Sequence, residues 1–87
     1  MIINVIKAEY VSDYKINLWF NIGECILVDL KDTIFNDHRK IFQSLRDIEY
    51  FKNFSIIMNT ITWENGLDLA PEYLYELDKV NEFVTNS

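Results

Sequence analysis

At 87 residues, with 49% hydrophobic and 15% aromatic composition, the chain reads as one small domain spanning 1–87 with enough apolar material for a core, which argues against disorder. Its formal charge of −6 is uneven: from residue 55 onward Lys79 alone faces Glu64, Asp68, Glu72, Glu76, Asp78 and Glu82. That acidic third disfavours direct nucleic-acid binding and anionic membranes and favours a basic protein partner.

The first residues lack a basic start followed by a long apolar run, and no stretch approaches the roughly 18 apolar residues of a membrane span. A cytoplasmic protein with no membrane segment is expected. The single Cys25 permits no internal disulfide and fits a reducing compartment.

In chain order, Ile2 to Tyr10 is β-branched and apolar, and a turn is expected at Val11-Ser12-Asp13. Tyr14, Ile16, Leu18 and Phe20 then alternate with Lys15, Asn17 and Trp19, the period of a half-buried strand. Asn21-Ile22-Gly23-Glu24 supplies a hairpin turn, and Cys25 to Leu30 alternates again with Ile26, Val28 and Leu30 on one face. Three antiparallel strands in a meander follow from this.

Next, Ile34, His38, Ile41 or Phe42, Leu45 and Ile48 recur at helical steps, predicting a helix from Phe35 or Asp37 to Arg46 with His38 on its inward side. Asp47 is placed to cap a short second helix, accepting from the amides of Glu49 and Tyr50. Phe54 to Met58 and Ile61 to Trp63 read as two strands joined by Asn59-Thr60, since Asn tolerates a left-handed backbone. Asn65-Gly66 allows positive φ at both positions and so a sharp reversal. Pro71 suits a helical first turn, with Asp68 or Ala70 as the cap and Asp68 chemically the better. Tyr73, Leu74, Leu77, Val80 and Val84 form the apolar stripe of a C-terminal amphipathic helix. Glu72, Glu76, Lys79 and Glu82 lie on its far side, Glu76 and Lys79 close enough to pair, and residues 85–87 fray. The fold class expected is α+β: a three-stranded antiparallel meander, one or two short helices, a β-hairpin and that final helix.

Catalytic chemistry finds little support. His38 is the only histidine, so His-pair metal sites are out, and Cys25 beside Glu24 has no neighbouring base to lower its pKa. Glu64, Asn65, Asp68 and Glu72 bunch oxygen ligands, but their spacing is not that of a calcium loop and each has a structural use. No catalytic residue, metal or cofactor is therefore expected. The alternative is a small ligand- or metal-binding domain, or an enzyme, with a site near Asp68 and Glu72. Trp63, two residues from Ile61, is expected in the core. Trp19 shares the wetter face of its strand with Lys15 and Asn17 and is the candidate interface anchor. Trp19, Lys15, Asn17, Glu72 and Glu76 are thus the candidate partner-binding residues, and a homodimer through a sheet edge or the Trp19 face is compatible with them.

The string Trp63-x-Asn65-Gly66-x-Asp68-x-Ala70-Pro71-Glu72-x-Leu74 resembles the closing signature of short bacterial members of the domain-of-unknown-function family number 2442. The order of Phe20-Asn21-Ile22-Gly23-Glu24, Val28-Asp29-Leu30, Phe42-Gln43-Ser44-Leu45-Arg46-Asp47 and Phe51 agrees, so the resemblance covers nearly the whole chain. The family often has Ser at the place of Ala70, and smaller or polar residues at that of Trp19. The resemblance implies a meander-based α+β domain without established activity. Longer relatives look like fusions to a helix-turn-helix, and short ones like products encoded beside small partners in toxin–antitoxin-type arrangements. It thereby implies an antitoxin-like or accessory interaction module, with Trp63, Asn65, Gly66, Asp68 and Pro71 as a structural motif.

Overall fold

Alternation of apolar and polar residues over the first thirty positions produces an antiparallel sheet in the computed structural model, which describes residues 2–77. Strand β1 runs Val5–Ser12, β2 Lys15–Phe20 and β3 Cys25–Asp29, in the order β1-β2-β3. The reversal into β2 falls at Asp13-Tyr14, with Asp13 in the left-handed region at φ 47°, so β1 begins and ends later than its composition alone indicates. Gly23 at φ 90° makes the second turn. Ile16, Leu18, Phe20 and Val28 point to one side and are buried; Lys15, Asn17 and Trp19 point to the other and are half-buried.

The helical region departs from its periodicity. Helix α1 occupies Lys31–Asn36 and α2 Lys40–Gln43, the latter running into a 3₁₀ turn at Ser44–Arg46. A single helix from Phe35 or Asp37 to Arg46 is thus corrected to two. The start moves upstream because Asp29 Oδ1 accepts the Lys31 amide at 3.0 Å while the Leu30 carbonyl accepts from the Ile34 amide at 2.9 Å. The break comes from Asp37, whose Oδ1 takes the Arg39 amide at 3.0 Å in a local turn that competes with the helix. His38 sits in that break and is exposed, not inward as its spacing implied. Ile34, Phe42 and Leu45 still reach the core.

Helix α3, Ile48–Phe51, is capped by Asp47, which accepts the Glu49 amide at 3.1 Å. Strands β4, Ser55–Ile57, and β5, Thr60–Thr62, pair antiparallel. Their turn is Met58-Asn59, at φ 52° and 72°, one residue earlier than Asn59-Thr60. Thr60 is needed in the strand, where its buried hydroxyl donates to the Leu69 carbonyl. Helix α4 begins at residue 71 and is described to 77. Ala70, not Asp68, precedes its first residue, and the Ala70 carbonyl accepts from the Leu74 amide at 3.1 Å. Asp68 is held earlier, in a β-bridge to Thr62.

One core joins these pieces: Val5, Phe20, Leu30, Ile34, Phe51, Ile61, Trp63 and Leu74, among others, are buried together. Tyr75 packs edge-on to Phe20 at 5.5 Å, whereas Tyr73 is 43% exposed and leaves the apolar stripe to bond Thr33 Oγ1 at 2.7 Å. Val80, Val84, the Glu76–Lys79 pair and the fraying of 85–87 lie outside the described residues.

Candidate functional site

Three regions carry the candidate residues. The first is the signature turn. Trp63 is 2% exposed, stacks near Phe51 with ring centroids 5.8 Å apart, and its Nε1 donates to the Phe51 carbonyl at 2.7 Å. From Trp63 the chain reverses: the Gly66 amide donates to the Trp63 carbonyl, and the Trp63 amide to the Leu67 carbonyl, both at 2.9 Å. Only Gly66, at φ 90°, has positive φ; Asn65 does not, contrary to its turn-forming composition. Asn65 acts through its side chain instead. Its Nδ2 donates to the Ile41 carbonyl and its Oδ1 accepts from the Leu67 amide, each at 3.0 Å, while its amide donates to the Tyr50 hydroxyl at 2.9 Å. The turn is therefore riveted to α2 and α3, a role with no local sequence signal because the partners lie 15 and 24 residues away.

The second region is a groove between α1 and the start of α4. A hollow of about 250 Å³ is lined by Thr33, Asp37, Arg39, Phe42, Asp68, Leu69, Ala70 and Tyr73, and opens toward Asp32, Asn36 and His38. Asp68 faces this hollow; Glu72 is exposed on α4, as is Glu76. Asp37 and Arg39 grip each other, with Arg39 Nη2 to Asp37 Oδ2 at 2.7 Å and Nε to Oδ1 at 3.0 Å. Hydrogen bonds from the Arg39 side chain, then its amide, hold the Asp37 carboxyl down at about 2. Among the described residues no three His, Cys, Asp or Glu side chains gather in a metal-holding group. Because the folded pKa lies below the usual 3.8, the pair's contribution is present above that value and lost as pH falls toward about 2. We expect the Asp37 carboxyl carbon to titrate near 2 by NMR and to return toward 3.8 in Arg39→Ala; an unshifted midpoint in the unaltered chain contradicts the pairing.

The third region is the outer face of the meander. The β2 register sets Lys7 and Cys25 on either side of Trp19, Glu9 and Leu27 beside Asn17, and Asp29 beside Lys15. Lys7 Nζ lies 4.7 Å from the Trp19 ring centroid, a cation–π contact across strands. Leu27 is 49% exposed and Cys25 is exposed, so this face joins an indole to an aliphatic side chain within a polar surround. Sequence periodicity brought out Trp19, Lys15 and Asn17; Lys7 and Leu27 required the strand register.

The family described as "Protein of unknown function (DUF2442)" matches residues 5–80. No curated protein and no solved structure matches the chain.

Proposed function

Because the chain belongs to the DUF2442 family of proteins of unknown function, we propose from its own geometry that it is a noncatalytic module that holds a partner protein on the outer face of its meander. The observation that carries this reading is Trp19, left half-buried on the central strand of the sheet between Lys7 and Cys25. A large rigid aromatic with a polar Nε1 gains most from being covered by a second surface, and such residues dominate binding energy in protein interfaces. Lys15 and Asn17 supply polar contacts at its rim. Exposed Glu72 and Glu76, with the net charge of −6, favour a basic partner and speed its approach. With the family resemblance, these features support reading the chain as an antitoxin-like or accessory subunit acting in a bacterial cytoplasm.

The test is co-purification of the full chain with its cellular partner, followed by titration of the purified pair. Trp19→Ala is expected to weaken binding about tenfold or more, equivalent to ~1.4 kcal/mol, with unchanged far-UV circular dichroism. Binding that is indifferent to Trp19→Ala sinks the assignment. Thermal stabilisation by a metal ion or metabolite, abolished by Asp68→Asn, moves the functional site to the groove.

A further inference from the structure

The two outer edges of the meander differ, and the difference points to a second binding surface, carried by the main-chain groups of a strand edge rather than by the Trp19 side chain. On β1 the register slips between Val5 and Lys7 and again between Tyr10 and Ser12, leaving exposed Ile6 and Val11 as bulged residues. Its upstream end is occupied, because the Val5 amide donates to the Asn59 carbonyl at 2.9 Å. Bulges, a lysine and a covered end are the devices by which sheets blunt an edge against pairing.

Among the described residues, strand β3 has none of them. Its residues Cys-Ile-Leu-Val-Asp pair with β2 in unbroken register, contain no Pro, Gly or Lys, and among the described residues β2 is the element against which β3 chiefly packs. The Phe20 amide donates to the Glu24 carbonyl at 2.8 Å, and the Leu30 amide to the Tyr14 carbonyl at 2.9 Å. Antiparallel pairing alternates its bonded positions, so Ile26 and Val28 bond β2 while the amides and carbonyls of Cys25, Leu27 and Asp29 point away from it. Leu27, midway along this row, is 49% exposed.

We propose that the β3 edge binds a second copy of this chain, strand to strand and antiparallel, about a two-fold axis at Leu27. The outward-pointing backbone groups call for an extended strand, and an antiparallel pair centred on one residue is self-complementary by symmetry. In that register Leu27 meets Leu27, Cys25 meets Asp29, and Glu24 of each copy lies beside Lys31 of the other. No like charges stand directly opposite, and at each end Lys31 of one copy partly offsets its own Asp29 and the Glu24 across the pair. The product is a six-stranded sheet whose outer face carries both Trp19 side chains. Five-residue strands bury little area, so the dimer dissociates on dilution. Two chains of charge −6 also repel, so added salt tightens it.

Sedimentation equilibrium of the full chain across concentration tests this, the expected limit being twice the 10.4 kDa monomer. Leu27→Pro deletes an outward amide, and Leu27→Lys places a charge at a half-exposed edge position; each is expected to weaken the dimer at least tenfold. In a Cys25→Ser background, Leu27→Cys is expected to form a symmetric disulfide dimer under mild oxidation, while Val11→Cys, on the blunted edge, does not. A monomer at every concentration, or a dimer unmoved by both Leu27→Pro and Leu27→Lys, overturns the proposal. Either result leaves the Trp19 reading intact, since that is read from heterologous binding.

Discussion

Trp63→Ala is expected to lower the unfolding free energy by about 3–5 kcal/mol, a large share of the roughly 5–15 kcal/mol that small domains possess. The side chain is 2% exposed and contacts the rings of Phe51 and Phe54 with centroids 5.8 and 6.4 Å away, so truncation opens a cavity that two rigid rings cannot close. It also orphans the buried Phe51 carbonyl. Trp63→Phe separates the two effects: most packing is retained, and losing the Nε1 bond alone is expected to cost about 1–3 kcal/mol. Urea denaturation followed by far-UV circular dichroism measures both. A loss under about 1 kcal/mol for Trp63→Ala contradicts its place at the junction of α3 and β5.

Asn65→Ala is expected to cost about 1–3 kcal/mol, since two side-chain hydrogen bonds at about 0.5–1.5 kcal/mol each disappear together. One of them, to the Ile41 carbonyl, ties the turn to α2; the other, from the Leu67 amide, shapes the turn itself. Native-state hydrogen exchange distinguishes them. Loss of the Ile41 bond loosens α2 selectively, so amides of Phe42 and Gln43 should exchange faster than those of β2. Uniform acceleration across the chain contradicts a local tie.

The strands were legible because a sheet with one buried face writes its period directly into the residues, as Ile16, Leu18 and Phe20 against Lys15, Asn17 and Trp19 show. The helical region was less so. Ile34, Leu45 and His38 share a helical spacing, but the short carboxylate of Asp37 offers the Arg39 amide an alternative to helix and breaks the phase, which turns His38 outward. The hairpin turn was displaced by one residue since a Met at φ 52° carries no compositional cue. In the signature, Trp63, Gly66 and Pro71 announce a buried ring, a reversal and a helix start. Asn65 is a different case: its partner is a main-chain carbonyl, and any residue at position 41 would present the same one. Asp68 shows the opposite error, a good cap by chemistry that the bridge to Thr62 keeps from the helix end. On the candidate interface, Trp19 was visible from alternation, whereas Lys7 depends on a bulge that shifts β1 by one position.

The bond from the Val5 amide to the Asn59 carbonyl imposes an order on biosynthesis. Each strand of the meander finds its partner in the segment made just before or after it, so β1, β2 and β3 can zip together early as the chain emerges. The upstream end of β1 cannot close until the hairpin turn carrying Asn59 has been made. Until then the Val5 end of the β1 edge stands open as well, and the apolar residues of the first strand depend on whatever shields them during that interval.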